Sequence, residues 1–221
     1  PAPLSYDQLL QLSVATANAG STPEVIEFYE ETLAEVEERV KLGISAFGIE
    51  TARLCSEGEP LWYDFNFLQN TFSRYGAVIV AGLICGGMLM NTDDEGRRSP
   101  VPRLADLGVT LNNRDDAFKL LAKARLEYMC NHHICLDEKD EQILKRVQDW
   151  KCDGLLVHMD IGCRNQLMGI LETKKVVTEA GIPVLAYNAS NGDCRAFDQR
   201  EVTDAIETFM ETLGLRTLDN S

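Results

Sequence analysis

The sequence is short of basic residues and of long apolar segments. Its 221 residues include 21 Lys and Arg against 35 Asp and Glu, which gives a formal net charge of -14. Such a charge disfavours a nucleic-acid backbone or an anionic membrane as the main partner. No apolar run approaches the roughly 20 residues of a membrane-spanning helix, and Pro1-Ala2-Pro3 does not open a signal peptide. We therefore expect a cytoplasmic globular protein that binds neither nucleic acid nor membranes.

The common cofactor and nucleophile motifs are also missing. No G-x-G-x-x-G follows a predicted strand, Gly86 and Gly87 do not belong to a Walker loop, and no C-x-x-C pair occurs. A nicotinamide or flavin enzyme is therefore disfavoured, and no order of Ser, His and Asp suggests acyl transfer. The seven cysteines are an odd number without the dense spacing of a secreted disulfide scaffold. They indicate either thiols in a reducing compartment or metal ligands.

Hydrophobic periodicity predicts helices first, and then strands and helices in alternation. Residues 1–48 form a helical lead-in with a short helix over 5–17 and a long amphipathic helix over 23–42, whose other face is acidic. Residues 49–221 form an α/β domain. Its predicted strands are 52–56, 77–84, 154–159 and 182–187, its predicted helices are 62–75, 114–130, 137–150, 165–180 and 201–213, and 91–113 is a long polar connection. This alternation predicts a three-layer, flavodoxin-like or Rossmann-like parallel sheet of about four strands.

Cysteines recur where the predicted strands end. Cys55, Cys85, Cys163 and Cys194 each lie at the end of one of the four strands or in the loop that follows it. Ligands of open parallel sheets bind at this edge, and gathered thiolates suit an iron–sulfur cluster. The alternative is that these cysteines are small buried hydrophobic residues.

Other polar residues of the same edge have two interpretations each. Arg164 and Arg195, on the loops after the third and fourth strands, would suit an anionic ligand such as a phosphate or a carboxylate, or they form surface ion pairs. His158, near a strand end, is either a proton donor at the site or a satisfied core histidine.

Several motifs together resemble one protein family. They are Glu57-Gly58-Glu59-Pro60-Leu61-Trp62, His158-Met159-Asp160-Ile161-Gly162-Cys163-Arg164 and Asn191-Gly192-Asp193-Cys194-Arg195-Ala196-Phe197-Asp198, with a closing helix after them. From about residue 53 onward, the chain resembles the middle and carboxy-terminal part of a subunit of the 2-hydroxyacyl-CoA dehydratase / benzoyl-CoA reductase family.

The resemblance implies a specific chemistry. Members are oxygen-sensitive heterodimers whose related subunits each carry an iron–sulfur cluster and receive one electron from an ATP-hydrolysing activator. The electron passes to an acyl-CoA thioester, and the resulting radical anion expels a neighbouring hydroxyl group or, in the ring reductases, is reduced further. The Gly-Cys after the third strand supplies a cluster ligand, which falls on Cys163 in this sequence.

The remaining site residues are candidates only. We expect a [4Fe-4S] cluster with Cys163 as ligand and with Cys85 and Cys194 as possible replacements for missing ligands. The residues considered for substrate contact are Arg164, Glu57, Asn188 and Arg195. The family usually has an acidic residue, Gly and Asn before Gly-Asp, whereas this chain has Asn188-Ala189-Ser190-Asn191.

The length also departs from the family pattern. Family subunits have a preceding α/β domain that supplies the other cluster cysteines, so this chain is expected to be part of a larger subunit or a shortened relative. The wording of the motifs favours a dehydratase over a ring reductase, and we expect inactivity without partner subunits. The alternative outside catalysis is a cluster-free binding or assembly module of the same fold.

Overall fold

A four-stranded parallel sheet organises the chain. The computed structural model describes residues 1–19, 22–82, 90–92, 98–100, 110–124, 136–164 and 167–218. The strands are β1 (Ala52–Glu57), β2 (Ala77–Gly82), β3 (Met90–Thr92), β4 (Arg98–Pro100), β5 (Gly154–Asp160) and β6 (Val184–Ala189). The parallel sheet has the order β2-β1-β5-β6, and β3 and β4 form a separate antiparallel pair inside the segment predicted as a polar connection.

Helices lie on both faces of this sheet, and two helices precede it, as predicted. They are α1 (Tyr6–Ala19), α2 (Pro23–Leu42), α3 (Asn66–Ser73), α4 (Arg114–Ala124), α5 (Leu136–Asp149), α6 (Ile170–Glu179) and α7 (Gln199–Thr212). Side chains of the strands alternate between two apolar clusters. On one face, Leu54 and Leu156 pack with residues of α1, α3 and α7. On the other face, Leu155 and Val157 pack with Ile143 of α5 and with residues of α6.

Local interactions shift several boundaries from their predicted positions. The third helix begins at Asn66 instead of 62, after a turn in which the Asp64 carboxylate accepts a hydrogen bond from the N–H of Phe67 at 3.1 Å. Helix α6 begins after Gly169, whose φ of 72° ends the preceding turn. Strand β6 begins at Val184, since Pro183 has no N–H to donate to a neighbouring strand.

Helix α2 contributes little to the core. It has the predicted bounds, with Pro23 in its first turn and with Gly43 at φ 68° after its last residue. None of its residues is buried, although it carries large apolar side chains such as Ile26, Leu33 and Val40. By contrast, Tyr6 and Leu10 of α1 belong to the apolar cluster on one face of the sheet.

Among the described residues, no helix combines the length and the apolar character that crossing a membrane requires. Cys85, Cys130 and Cys135 lie outside the described residues.

Candidate functional site

His158 joins three segments at the carboxyl edge of the sheet. Its ring is almost fully buried and stacks on the Tyr187 ring of β6, with centroids 5.1 Å apart and planes 6° apart. Nδ1 lies 2.6 Å from the carbonyl oxygen of Glu59, after β1, and Nε2 lies 3.2 Å from that of Ala189. Because the ring is buried and both of its nitrogens face backbone carbonyl oxygens, the geometry favours a core histidine over a proton donor to a ligand.

The carboxylate of Asp160 connects the loop after β5 with the loop after β6. Its Oδ1 accepts hydrogen bonds from the N–H of Gly162 at 2.9 Å and from the N–H of Asn191 at 3.3 Å. The N–H of Cys163 donates to the carbonyl oxygen of Asp160 at 3.3 Å. A Cβ at position 162 would lie 3.3 Å from both Asp160 Oδ1 and Ser190 Oγ. One buried side chain therefore sets the relative position of the two loops.

Cys163 and Cys194 lie on these two loops. Cys163 is partly buried, whereas Cys194 is exposed and begins a short 3-10 turn that ends at Ala196. Both are free thiols. The structure thus brings two of the predicted sulfur ligands to neighbouring loops at the carboxyl edge of β5 and β6.

The two predicted arginines differ in their surroundings. Arg195 is highly exposed, and its Nη2 and Nε donate to the Asp193 carboxylate at 2.8 and 2.9 Å. The hydrogen bonds from Arg195 lower the pKa of Asp193 below its ordinary value. This geometry favours the ion-pair interpretation of Arg195. Arg164 is exposed beside Cys163 and forms no ion pair with another described residue.

Glu57, predicted as a substrate contact, occupies a buried ionic cluster. Its Oε2 lies 3.2 Å from Nη1 of Arg146, and its Oε1 lies 3.7 Å from Nζ of Lys139. Lys139 Nζ also donates to the carbonyl oxygen of Met168 at 3.1 Å. Strand alternation places Glu57 and Asp160 on opposite faces of the sheet. The cluster holds α5 against β1, and a role of Glu57 in substrate binding stays a prediction.

The other predicted residues are less informative. Asn188 is exposed near the end of β6 and pairs in register with Met159. Cys85 follows β2 and lies outside the described residues. A substrate contact of Asn188 and a ligand role of Cys85 stay predictions.

Cys55 belongs to the core and lies within β1, two residues before the end of the strand. It is fully buried, and its thiol forms a hydrogen bond with that of Cys152, just before β5. This hydrogen bond, together with burial, raises the pKa of Cys152 well above the ordinary thiol value. The alternative interpretation of the cysteines as small core residues therefore fits Cys55.

Three polar atoms near the carboxyl edge have no hydrogen-bond partner in the described part of the chain. They are Oδ2 of Asp160 and the hydroxyl groups of Tyr63 and Tyr187. Burial raises the pKa of both tyrosines, and nearby acidic groups, Asp160 among them, add to the effect at Tyr63. The sequence does not predict that these three side chains lie together, because only the fold brings Tyr63 to the ends of β5 and β6. Asp160 itself belongs to the motif of residues 158–164 described above.

The donor chemistry fits part of an iron–sulfur site. Cys163 and Cys194 offer thiolates, the ligands that hold iron in such clusters, on loops that Asp160 holds together. Among the residues that the structure describes, no group of three His, Cys, Asp or Glu side chains could hold a metal ion. The described residues therefore supply at most two of the sulfur ligands of a cluster.

Fold and site define a class: a three-layer α/β protein with cysteine-bearing loops at the carboxyl edge of its parallel sheet. The sequence model of a family described as "2-hydroxyglutaryl-CoA dehydratase, D-component" matches residues 1–213, and the chain belongs to this family.

Three curated relatives agree with this assignment. The chain is 23% identical over 220 residues to the (R)-2-hydroxyisocaproyl-CoA dehydratase alpha subunit of Clostridioides difficile. This match covers 98% of the chain and 48% of the relative. It is 25% identical over 181 residues to the lactoyl-CoA dehydratase subunit alpha of Anaerotignum propionicum, covering 81% of the chain and 38% of the relative. It is 22% identical over 216 residues to the (R)-phenyllactyl-CoA dehydratase alpha subunit of Clostridium sporogenes, and this match covers 96% of the chain and 47% of the relative. The chain thus spans about half the length, or less, of these relatives.

Proposed function

We propose that this chain is part of an iron–sulfur subunit of a 2-hydroxyacyl-CoA dehydratase, which eliminates water from a 2-hydroxyacyl-CoA. The observation that carries the proposal is the link through Asp160, which brings the Cys163 and Cys194 loops together in a chain of the dehydratase family. The relatives are named for three different acyl-CoA substrates, all of them 2-hydroxyacyl thioesters. The class of substrate is therefore better supported than any particular acyl group.

The residues of the edge have separate roles in this proposal. Cys163 is the sulfur ligand of a [4Fe-4S] cluster, and Cys194 is a candidate for a second one. Asp160 positions both loops through its Oδ1. Arg164 is exposed and free to meet an anionic part of acyl-CoA, such as a phosphate. When bound, the cluster would supply one electron to the thioester.

Partners follow from the same proposal. The relatives are named as alpha subunits, which supports a heterodimer with a related second subunit. An ATP-hydrolysing activator would deliver the electron, and the chain would be inactive without these partners. The ring-reducing chemistry of benzoyl-CoA reductases is the alternative reaction, and the names of the relatives favour dehydration.

A cluster-free binding or assembly module is a second candidate. The absence of a three-ligand group among the described residues favours it. Such a module would keep the fold and use the same edge to dock a partner.

Anaerobic purification followed by iron and acid-labile sulfide analysis and electron paramagnetic resonance separates the two candidates. A subunit with a cluster should contain iron and sulfide in equal amounts, and reduction with dithionite should give a paramagnetic signal. Colourless, iron-free material from a strictly anaerobic preparation would support the module instead. Adding the second subunit, the activator, ATP and a 2-hydroxyacyl-CoA should then release water and form the 2-enoyl-CoA.

A further inference from the structure

Helix α2 carries an apolar stripe that the described structure leaves uncovered. Ile26, Leu33 and Val40 recur every seven residues, so they lie nearly in line along the helix. Their side chains are 51–59% exposed, which is high for large apolar residues. The stripe is as long as the helix and therefore differs from a single exposed apolar residue.

One side of the stripe faces α1. The half-buried residues Tyr29 and Val36 lie on that side, and the Tyr29 hydroxyl donates to the carbonyl oxygen of Leu12 at 2.5 Å. A groove of about 420 Å³ runs between the two helices, and Phe28 and Val36 are among its lining residues. The groove has a mixed lining, with Gln8 and Arg39 beside the apolar side chains, and none of the three stripe residues lines it.

The other side of the stripe is acidic. Glu30 and Glu37 are exposed, and each follows a stripe residue, Ile26 or Leu33, by four residues, which is about one helical turn. Five further glutamates lie on α2. The helix has only two basic residues, Arg39 and Lys41. An occupant of the stripe must thus combine an apolar face with positive charge along one flank.

We propose that α2 docks an amphipathic helix of a separate protein partner, with the apolar face of that helix on the stripe and with Lys or Arg residues opposite Glu30 and Glu37. Two amphipathic helices commonly associate through their apolar faces, and charges beside the seam select the partner. A second copy of this chain would bring two acidic flanks together in a molecule of net charge -14, and this repulsion disfavours it.

Two synthetic amphipathic peptides test the proposal on the purified chain. Both carry leucine at the seam positions, one has lysine and the other has glutamate at the flanking positions, and binding is measured by fluorescence anisotropy. The lysine peptide should bind at least tenfold more tightly than the glutamate peptide. A scrambled lysine peptide of the same composition separates recognition from attraction by net charge alone, and it should bind at least tenfold more weakly than the intact one.

Variants assign the binding to α2. Leu33→Ser should weaken the lysine peptide at least tenfold, whereas Leu171→Ser, at an equally exposed leucine of α6, should not change it. The double variant Glu30→Lys/Glu37→Lys should invert the preference between the two peptides. Equal binding of the intact and scrambled peptides, no effect of Leu33→Ser, or a concentration-dependent dimer that Leu33→Ser abolishes would each overturn the proposal.

Discussion

A single carboxylate joins the two cysteine loops of the carboxyl edge. Asp160 is fully buried, and its Oδ1 satisfies two backbone N–H groups from different loops. Hydrogen bonds to a carboxylate are among the more stabilising ones, and loss of the carboxylate leaves both donors without their partner in the fold. Asp160 should therefore matter for stability as well as for the position of Cys163 and Cys194.

Substitution of Asp160 separates these contributions. Asp160→Ala should lower the free energy of unfolding by about 1–3 kcal/mol, since it leaves the N–H groups of Gly162 and Asn191 without an acceptor. Asp160→Asn keeps one side-chain oxygen in place, so it should lower the free energy of unfolding by less than Asp160→Ala does. Urea denaturation measures both, and equal losses in the two variants would contradict the role of Oδ1.

Asp7, in the first turn of α1, should make stability depend on pH. Burial raises the pKa of its carboxyl to about 6, from 3.8 for an exposed one. The folded state therefore binds this proton more tightly than the unfolded state, and the free energy of unfolding should fall as the pH rises from about 4 to 6.

Asp7→Asn removes this titration and isolates its effect. At pH 7 the variant should be more stable than the wild type by on the order of 1–3 kcal/mol, and the difference should shrink towards pH 4. Urea denaturation at both pH values measures it. A difference that does not change with pH would show that Asp7 titrates normally in the folded state.

At the scale of elements, the end of β1 depends on a glycine. Gly58 has a φ of +100°, and a Cβ there would lie 2.9 Å from the carbonyl oxygen of His158. The chain can pass β5 this closely only without a side chain. The contact thus keeps the loop after β1 next to the loops that carry the cysteines.

Two glycine substitutions separate crowding from backbone strain. Gly181, like Gly58, has a positive φ, of +82°, but a Cβ at position 181 would meet no atom within 4 Å. Gly58→Ala should therefore lower the free energy of unfolding by at least about 1 kcal/mol more than Gly181→Ala does. Thermal and urea unfolding measure the difference, and equal losses would mean that the approach of Gly58 to β5 is not tight.

The elements also show what sequence patterns can predict. The bounds of α2 follow from Pro23 and Gly43, and the parallel sheet follows from its apolar strands, because these signals are local. Glu57 was placed at the correct edge, but its partner Arg146 lies 89 residues away and only the fold brings them together. The apolar residues of α2 predicted a buried face, whereas none of them is buried among the described residues.

At the scale of the whole molecule, the candidate site is only partly contained in the described chain. Cys163 and Cys194 are at the carboxyl edge, the buried Cys55 is hydrogen-bonded to the half-buried Cys152, and Cys85 lies outside the described residues. The chain spans about half the length, or less, of its curated relatives. The resemblance of one motif predicts Cys163 as a ligand, and no motif within the described residues predicts a full set.

The central claim is that Cys163 binds the iron of a cluster, and iron content measures it most directly. Anaerobically prepared Cys163→Ser should hold less than half the iron and acid-labile sulfide of the wild type, and its paramagnetic signal after reduction should be lost or changed. Cys152→Ser, which removes a half-buried thiol before the start of β5 and so away from this edge, should keep both. Wild-type iron content in Cys163→Ser, or iron-free wild-type protein, would contradict the account.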